Sequence, residues 1–159
     1  MRKNRSRGSD AEKGVLPQFR EMCAKAGIRA THQRLEVLRE IVCATDHPTV
    51  DDVYRRVRKR VPSISLDTVY RTLATFEKHD VVRRLQVLED PVRYDGRGTR
   101  HHHLVCTRCG CITDLEWPAF DGVGLPRAAA RWGTVKTKQV QLEGLCAKCL
   151  QAERAKGRA

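Results

Sequence analysis

Four of the seven cysteines stand as two C-x-x-C pairs, Cys106/Cys109 and Cys146/Cys149, with 36 residues between them. If the four thiols converge, two points far apart in the chain are tied together and everything between them must fold back. In a reducing compartment, paired thiols at this spacing are metal ligands more often than disulfides. Four thiolates in a tetrahedron match Zn²⁺, which has no redox chemistry and is closed off completely by such a set. A redox disulfide or an iron–sulfur cluster competes for the same spacing. Cys23 and Cys43 read as small buried hydrophobes on helices; Cys111 stands outside the two-pair frame with no role read for it.

The reducing compartment is itself an expectation. The N-terminus, MRKNRSRGSDAEKG, is basic and lacks the apolar stretch of a secretory signal, which places the chain in the cytoplasm. No run of about 18 apolar residues occurs, so no segment is expected to span a membrane. At 159 residues the chain is one ordinary domain or two small ones. Lys and Arg number 31 against 19 Asp and Glu, a net +12 that suits a polyanionic partner, nucleic acid before membrane.

The hydrophobic period divides the chain. Residues 1–14 and the terminal QAERAKGRA are polar without periodicity and read as mobile tails. Phe19, Met22, Cys23 and Ala26 fit one helix face. Thr31 caps a second helix carrying Leu35, Leu38, Ile41 and Val42; His47-Pro48-Thr49 breaks it. A third carries Val50, Val53, Val57 and Val61 and stops at Pro62, and a fourth runs from Leu66 to about His79 behind an N-cap at Ser65. Beyond residue 80 the period falls to two. Strands at about Val81–Leu88 and Val92–Asp95, with a Glu-Asp-Pro turn, form a hairpin. Helices followed by a hairpin on a basic chain read as a winged helix-turn-helix over residues 1–95. Residues 96–159 read as a small α/β unit with strands at Leu104–Cys106, Cys111–Leu115 and Val135–Leu142 and a helix near Arg127–Trp132. The fold class is therefore α+β.

A second group of possible ligands is harder: His47, Asp95, His101-His102-His103 and Asp114. In an extended segment alternate residues share a face, so His101 and His103 point one way and His102 the other. Two imidazoles with carboxylates suit Fe²⁺, Mn²⁺ or Zn²⁺, the first two gaining as oxygen ligands are added. The alternative is a polar surface loop without metal. His32 and His79 read as ordinary surface residues.

The strings Gly27-Ile-Arg-Ala-Thr31-His-Gln33-Arg34, His47-Pro48-Thr49-Val-Asp51-Asp52-Val-Tyr54, Thr68-Val-Tyr70-Arg71-Thr-Leu73, His101-His-His103-Leu-Val-Cys106-Thr-Arg-Cys109-Gly110 and Cys146-Ala-Lys-Cys149 together resemble the Fur family of metal-dependent repressors. The resemblance runs from about residue 16 to 150. It implies a winged helix, a C-terminal dimerisation domain, and a homodimer that binds a palindromic operator in double-stranded DNA when loaded with metal. It also implies that His47, Asp95, His101, His103 and Asp114 form a regulatory Fe²⁺ or Mn²⁺ site, with the four paired cysteines as structural zinc ligands. Asp95, where iron-responsive members carry Glu, is similar to the peroxide-sensing PerR branch. A further family site would use positions 100, 102, 121 and 138; here Arg100 and Lys138 cannot coordinate a cation, so that site is expected to be absent, with Asp121 pairing with one of them.

The function implied is repression relieved when Fe²⁺ and hydrogen peroxide add one oxygen to His47 or His101. An iron or manganese availability regulator is the alternative on the same fold. A small metalloenzyme is the remote one, since five protein ligands leave little open coordination and no metal-site motif supplies a general base. With His47 on the helical domain and the rest at or beyond the hinge, the ion acts as a cross-link that sets the spacing of two recognition helices. On the fourth helix Tyr70 and Arg71 are the expected DNA contacts, with Arg29 reaching the minor groove. Arg55, Arg56, Arg83 and Arg84 supply backbone charge or solubility.

Overall fold

The computed structural model describes residues 17, 19–85, 91–97 and 99–156. It divides into two compact units between residues 98 and 99.

In the first unit, α1 (residues 19–25), α2 (His32–Cys43), α3 (Val50–Arg58) and α4 (Leu66–Lys78) precede the antiparallel pair β1 (Arg83–Leu85) and β2 (Arg93–Asp95). Each of the last three helices starts where a hydroxyl can hold its first free amides. Thr31 accepts the Arg34 N–H at 3.3 Å, and Ser65 accepts that of Thr68 at 3.1 Å. Thr49 and Asp52 form a reciprocal capping box, with N–H donation both ways at 3.1 and 3.2 Å. Such caps contribute about 1 kcal/mol each. The sequence reading had Thr49 as part of a break; it is that and also the start of α3. The apolar faces then close on one core containing Phe19, Cys23, Val37, Leu38, Ile41, Val53, Val57, Val69, Leu73 and Phe76. Phe19 meets Phe76 edge to face at 6.4 Å.

The two strands of the hairpin begin later than the period implies. β1 starts at Arg83 and β2 at Arg93, and the expected turn at residues 89–90 lies outside the described residues. Gly96 follows β2 against α2, where a Cβ would stand 2.7 Å from Ile41 Cγ2, so only glycine lets the chain pass there. Arg56, expected to supply backbone charge or solubility, has structural partners, and so does Arg60. Arg60 Nε and Nη2 donate to Glu36 at 2.6 Å and Glu40 at 2.8 Å, and Arg56 binds Asp46 through both terminal nitrogens, clamping α3 to α2 and the loop after it. Arg55 is held by Asp52 on its own helix.

The second unit is a three-stranded sheet in the order β4-β3-β5, made of β3 (His102–Cys106), β4 (Ile112–Leu115) and β5 (Gln141–Gly144). β3 runs antiparallel to β4 and parallel to β5. Three helices complete it: α5 (Pro118–Asp121), α6 (Arg127–Trp132) and α7 (Ala147–Lys156). Two expectations are corrected here. The strand expected over Val135–Leu142 begins only at Gln141, where pairing with His103 starts. The C-terminal residues read as a tail are helical through Lys156, because α7 continues from the Cys146–Cys149 knuckle. Residues 157–159, like the tail expected over 1–14, lie outside the described residues. Among the described residues of this unit, the buried apolar side chains are Val105, Cys106 and Ile112. So small a core needs another source of stability, a metal or a partner.

Candidate metal centres and nucleic-acid face

The sulfur cluster is built by a tight turn between β3 and β4. Gly110 takes φ +65°, its N–H donates to the Cys106 carbonyl at 2.9 Å, and the Cys106 N–H donates to the Cys111 carbonyl at 2.9 Å. The Cys146 N–H donates to Cys106 Sγ at 3.3 Å, and Cys109 Sγ lies 3.8 Å from Cys146 Sγ. Sulfurs about 2.3 Å from a tetrahedral zinc are separated by roughly 3.8 Å, so that edge fits the ion. Backbone N–H groups, that of Cys146 first, pull the Cys106 thiol down to about 5, and the Cys149 backbone lowers Cys146. Burial pushes Cys111 and Cys149 up to about 12.

All four predicted cysteines are in this region, but the sulfurs that lie within 4.8 Å of one another are those of Cys106, Cys109, Cys111 and Cys146. The Cys149 thiol faces Cys146, Cys109 and Cys106 from α7. Cys111 thus belongs to the cluster. Its signal in the sequence was its place two residues after Cys109, at the head of a strand that returns beside Cys106.

The nitrogen and oxygen ligands of the second unit also converge. His101 Nε2 and His103 Nε2 are 3.1 Å apart, and Asp114 Oδ1 stands 3.6 Å from the first and 3.9 Å from the second. Asp114 reaches them because β4 pairs it with His103. Two nitrogens in adjacent positions on an ion at about 2.1 Å stand about 3.0 Å apart, so the donor set fits a divalent cation. Around it are contacts that no motif announced. His101 Nδ1 is 2.8 Å from the Thr99 carbonyl, which can only accept, so the proton sits on Nδ1 and the Nε2 lone pair faces the centre. The Gln139 amide lies 3.1 Å from His103 Nδ1 and donates to the His101 carbonyl at 3.3 Å.

His102 points the other way, as strand alternation requires, onto Phe120 and Trp117 and to 3.3 Å from Asp121. Arg100 Nε is 3.6 Å from the same carboxylate. Lys138 Nζ donates to the Phe120 and Asp121 carbonyls at 2.7 and 3.2 Å and lies over the Phe120 ring. Asp121 therefore pairs with Arg100, while the other cation is held by backbone.

In the first unit, His47 and Asp95 are brought to one edge. The Tyr94 N–H donates to the Pro48 carbonyl at 3.0 Å and Thr49 bridges to Arg93, so the residues flanking those contacts sit side by side. His47 adopts φ +49°, uncommon without glycine, and Arg93 donates to its carbonyl at 3.4 Å. Both His47 and Asp95 are buried. Asp95 Oδ1 accepts the Arg97 N–H at 2.8 Å, which fixes its rotamer.

The outer face of α4 carries Tyr70, 51% exposed, and Arg71, which pairs with Asp67 at 2.9 Å. An aromatic that large left in water on a helix whose other side is core is available to a ligand. Arg29, in the loop before α2, is exposed; its carbonyl accepts from Arg34 at 2.8 Å.

Comparison with known proteins agrees with these features. Residues 25–143 match the Ferric uptake regulator family. The chain is 30% identical over 138 residues to the peroxide operon regulator of Bacillus subtilis, covering 87% of this chain and 95% of that one. It is 30% identical over 125 residues to the peroxide-responsive repressor PerR of Staphylococcus epidermidis, covering 79% and 83%. The structure of the Campylobacter jejuni peroxide stress regulator superposes with a TM-score of 0.64 at 31% identity, covering 85% of this chain and 98% of that one. With its motifs in order and its fold matched along most of its length, the chain belongs to the ferric uptake regulator family.

Proposed function

We propose that this protein is a metal-dependent DNA-binding repressor of the peroxide-responsive type. The observation that carries the reading is the convergence of His101 Nε2, His103 Nε2 and Asp114 Oδ1, a donor set of mixed nitrogen and oxygen that suits Fe²⁺ or Mn²⁺. His47 and Asp95 are the further ligands of this reading. The cysteine cluster holds structural Zn²⁺. A ferrous ion in the regulatory site supplies the one-electron chemistry that activates hydrogen peroxide. The residues' part is to bind, orient and be consumed: one peroxide oxygen is added to an imidazole carbon of His47 or His101, and the other leaves as water. An oxidised imidazole is a poorer ligand, and operator DNA is released.

α4 is the recognition helix, with Tyr70 and Arg71 toward the DNA and Arg29 at the adjacent minor groove. The chain acts as a homodimer, a reading supported by Leu104 and Leu142, neighbours on β3 and β5 that are each about two-fifths exposed. Among the described residues no helix is long and apolar enough to cross a membrane.

The test is to load the regulatory site with Fe²⁺ or with Mn²⁺, add peroxide, and record operator binding alongside the masses of the peptides that hold His47 and His101. Loss of binding together with a gain of one oxygen atom, in the Fe²⁺ sample alone, is the expected result. A Fe²⁺-loaded protein that keeps both its DNA and its peptide masses would leave a regulator of metal availability.

A further inference from the structure

The cluster at the end of the β3–β4 turn contains more thiols than a tetrahedral zinc has places. Cys106, Cys109, Cys111 and Cys146 are mutually within 4.8 Å. Cys149 adds a fifth sulfur, beside Cys146, Cys109 and Cys106. Three of these sulfurs are shared by both possible sets of four. The remaining two come from different places: Cys111 lies just before β4, at the end of the turn from β3, and Cys149 lies in α7.

We infer that Cys111 and Cys149 are alternative ligands for one place on the structural zinc, so that the ion stays bound when either is withdrawn. The inference rests on the reading of the cluster as a zinc site. Zn²⁺ imposes no directional electronic preference, and a thiol already in the cluster competes at high effective concentration. The exchange needs no oxidant. A bond from zinc to Cys111 Sγ forms as that to Cys149 Sγ breaks, and the proton lost by the incoming thiol is taken by the outgoing thiolate. The consequence is structural: α7 is held to the ion by both Cys146, just before its first residue, and Cys149 in one arrangement, and by Cys146 alone in the other, without loss of zinc. The Arg108 bond to the Cys149 carbonyl, at 3.1 Å, tethers α7 independently of the metal.

The test measures zinc per chain by atomic emission for the full-length protein and for Cys111→Ser, Cys149→Ser, the double variant and Cys106→Ser. Each of the first two should retain about one zinc, as wild type does for a single tetrahedral site, and the double variant and Cys106→Ser should lose it. Loss of zinc from Cys149→Ser to the extent seen in the double variant overturns the exchange, as does loss from Cys111→Ser alone. A wild type without zinc overturns the underlying site reading as well, which separates the two failures. A second measurement needs no variant. Alkylation of zinc-loaded wild type followed by peptide mapping should label Cys111 and Cys149 each in part, with Cys106, Cys109 and Cys146 protected. Labelling confined to one of the two would mean a fixed ligand set and sink the proposal.

Discussion

His101 Nε2 and His103 Nε2 stand 3.1 Å apart because alternate residues of an extended segment share a face, and the Thr99 carbonyl 2.8 Å from His101 Nδ1 aims one of the two lone pairs inward. Replacing His101 by Ala should weaken Mn²⁺ binding by at least about tenfold, since even the hydrogen-bond partners of metal ligands are worth that much. Zinc content should not change, because the sulfur cluster uses none of these residues. Calorimetric Mn²⁺ titration with parallel zinc analysis reads both; unaltered Mn²⁺ affinity would remove His101 from the site.

In the proposed reading, Asp95 is the residue that separates a peroxide sensor from a sensor of iron. Asp95→Glu keeps the charge but lengthens the arm by a methylene, and the Arg97 N–H that fixes the present carboxylate would no longer be placed to do so. The variant should still bind operator with Fe²⁺ while its histidines oxidise far more slowly. Equal rates of oxygen incorporation in wild type and variant would count against the peroxide reading.

Cys106 belongs to both possible zinc sets, and its thiol is already held near 5 by backbone amides. Cys106→Ser should lose zinc and several kcal/mol of stability, because a structural zinc contributes folding free energy directly. Urea unfolding with zinc analysis checks this. A variant that keeps its zinc and its midpoint would refute the assignment.

Arg71 is exposed and pairs with Asp67 across one helical turn, an arrangement worth little to stability. Arg71→Ala should therefore leave the thermal midpoint unchanged while weakening operator binding by about 1–3 kcal/mol if the side chain reads a base, or lowering the salt slope by about one if it meets a phosphate. Binding isotherms at several salt concentrations distinguish these; an unchanged isotherm would displace α4 as the recognition helix.

Asp46 is held below its ordinary range, first by the hydrogen bonds from Arg56. A carboxylate with a depressed folded pKa contributes stability that is present above its unfolded value, near 3.8, and is lost as pH falls through the lower folded value. Asp46→Asn should therefore lower stability at neutral pH and flatten the acid limb below about pH 4. An acid limb identical to wild type would show that the Arg56 clamp carries no net stability.

Much of this architecture could be read locally. The caps at Thr31 and Ser65, the inward positions Val69, Leu73 and Phe76, and the opposite facing of His101 and His102 follow from period and hydroxyl placement alone. The start of β5 and the extent of α7 did not, since each depends on what a distant strand or knuckle offers as a partner. Arg56, expected to supply backbone charge or solubility, illustrates the same point: it and Arg60 meet Asp46, Glu36 and Glu40 because α3 and the residues after it pack against α2 and the loop that follows it.

By itself the sequence determined the helix-then-hairpin order, the two kinds of ligand and their spacing, because these depend on periodicity and side-chain chemistry within a few residues. Only the tertiary structure decided that Asp114 meets His101 and His103, which is a matter of strand register, and that Pro48 pairs with Tyr94 to bring His47 and Asp95 to one edge. It also decided that Cys111 joins the sulfur cluster. A thiol's neighbours across a turn are set by backbone hydrogen bonds, here those of Cys106 and Gly110, and no spacing rule counts a cysteine that lies outside a C-x-x-C pair.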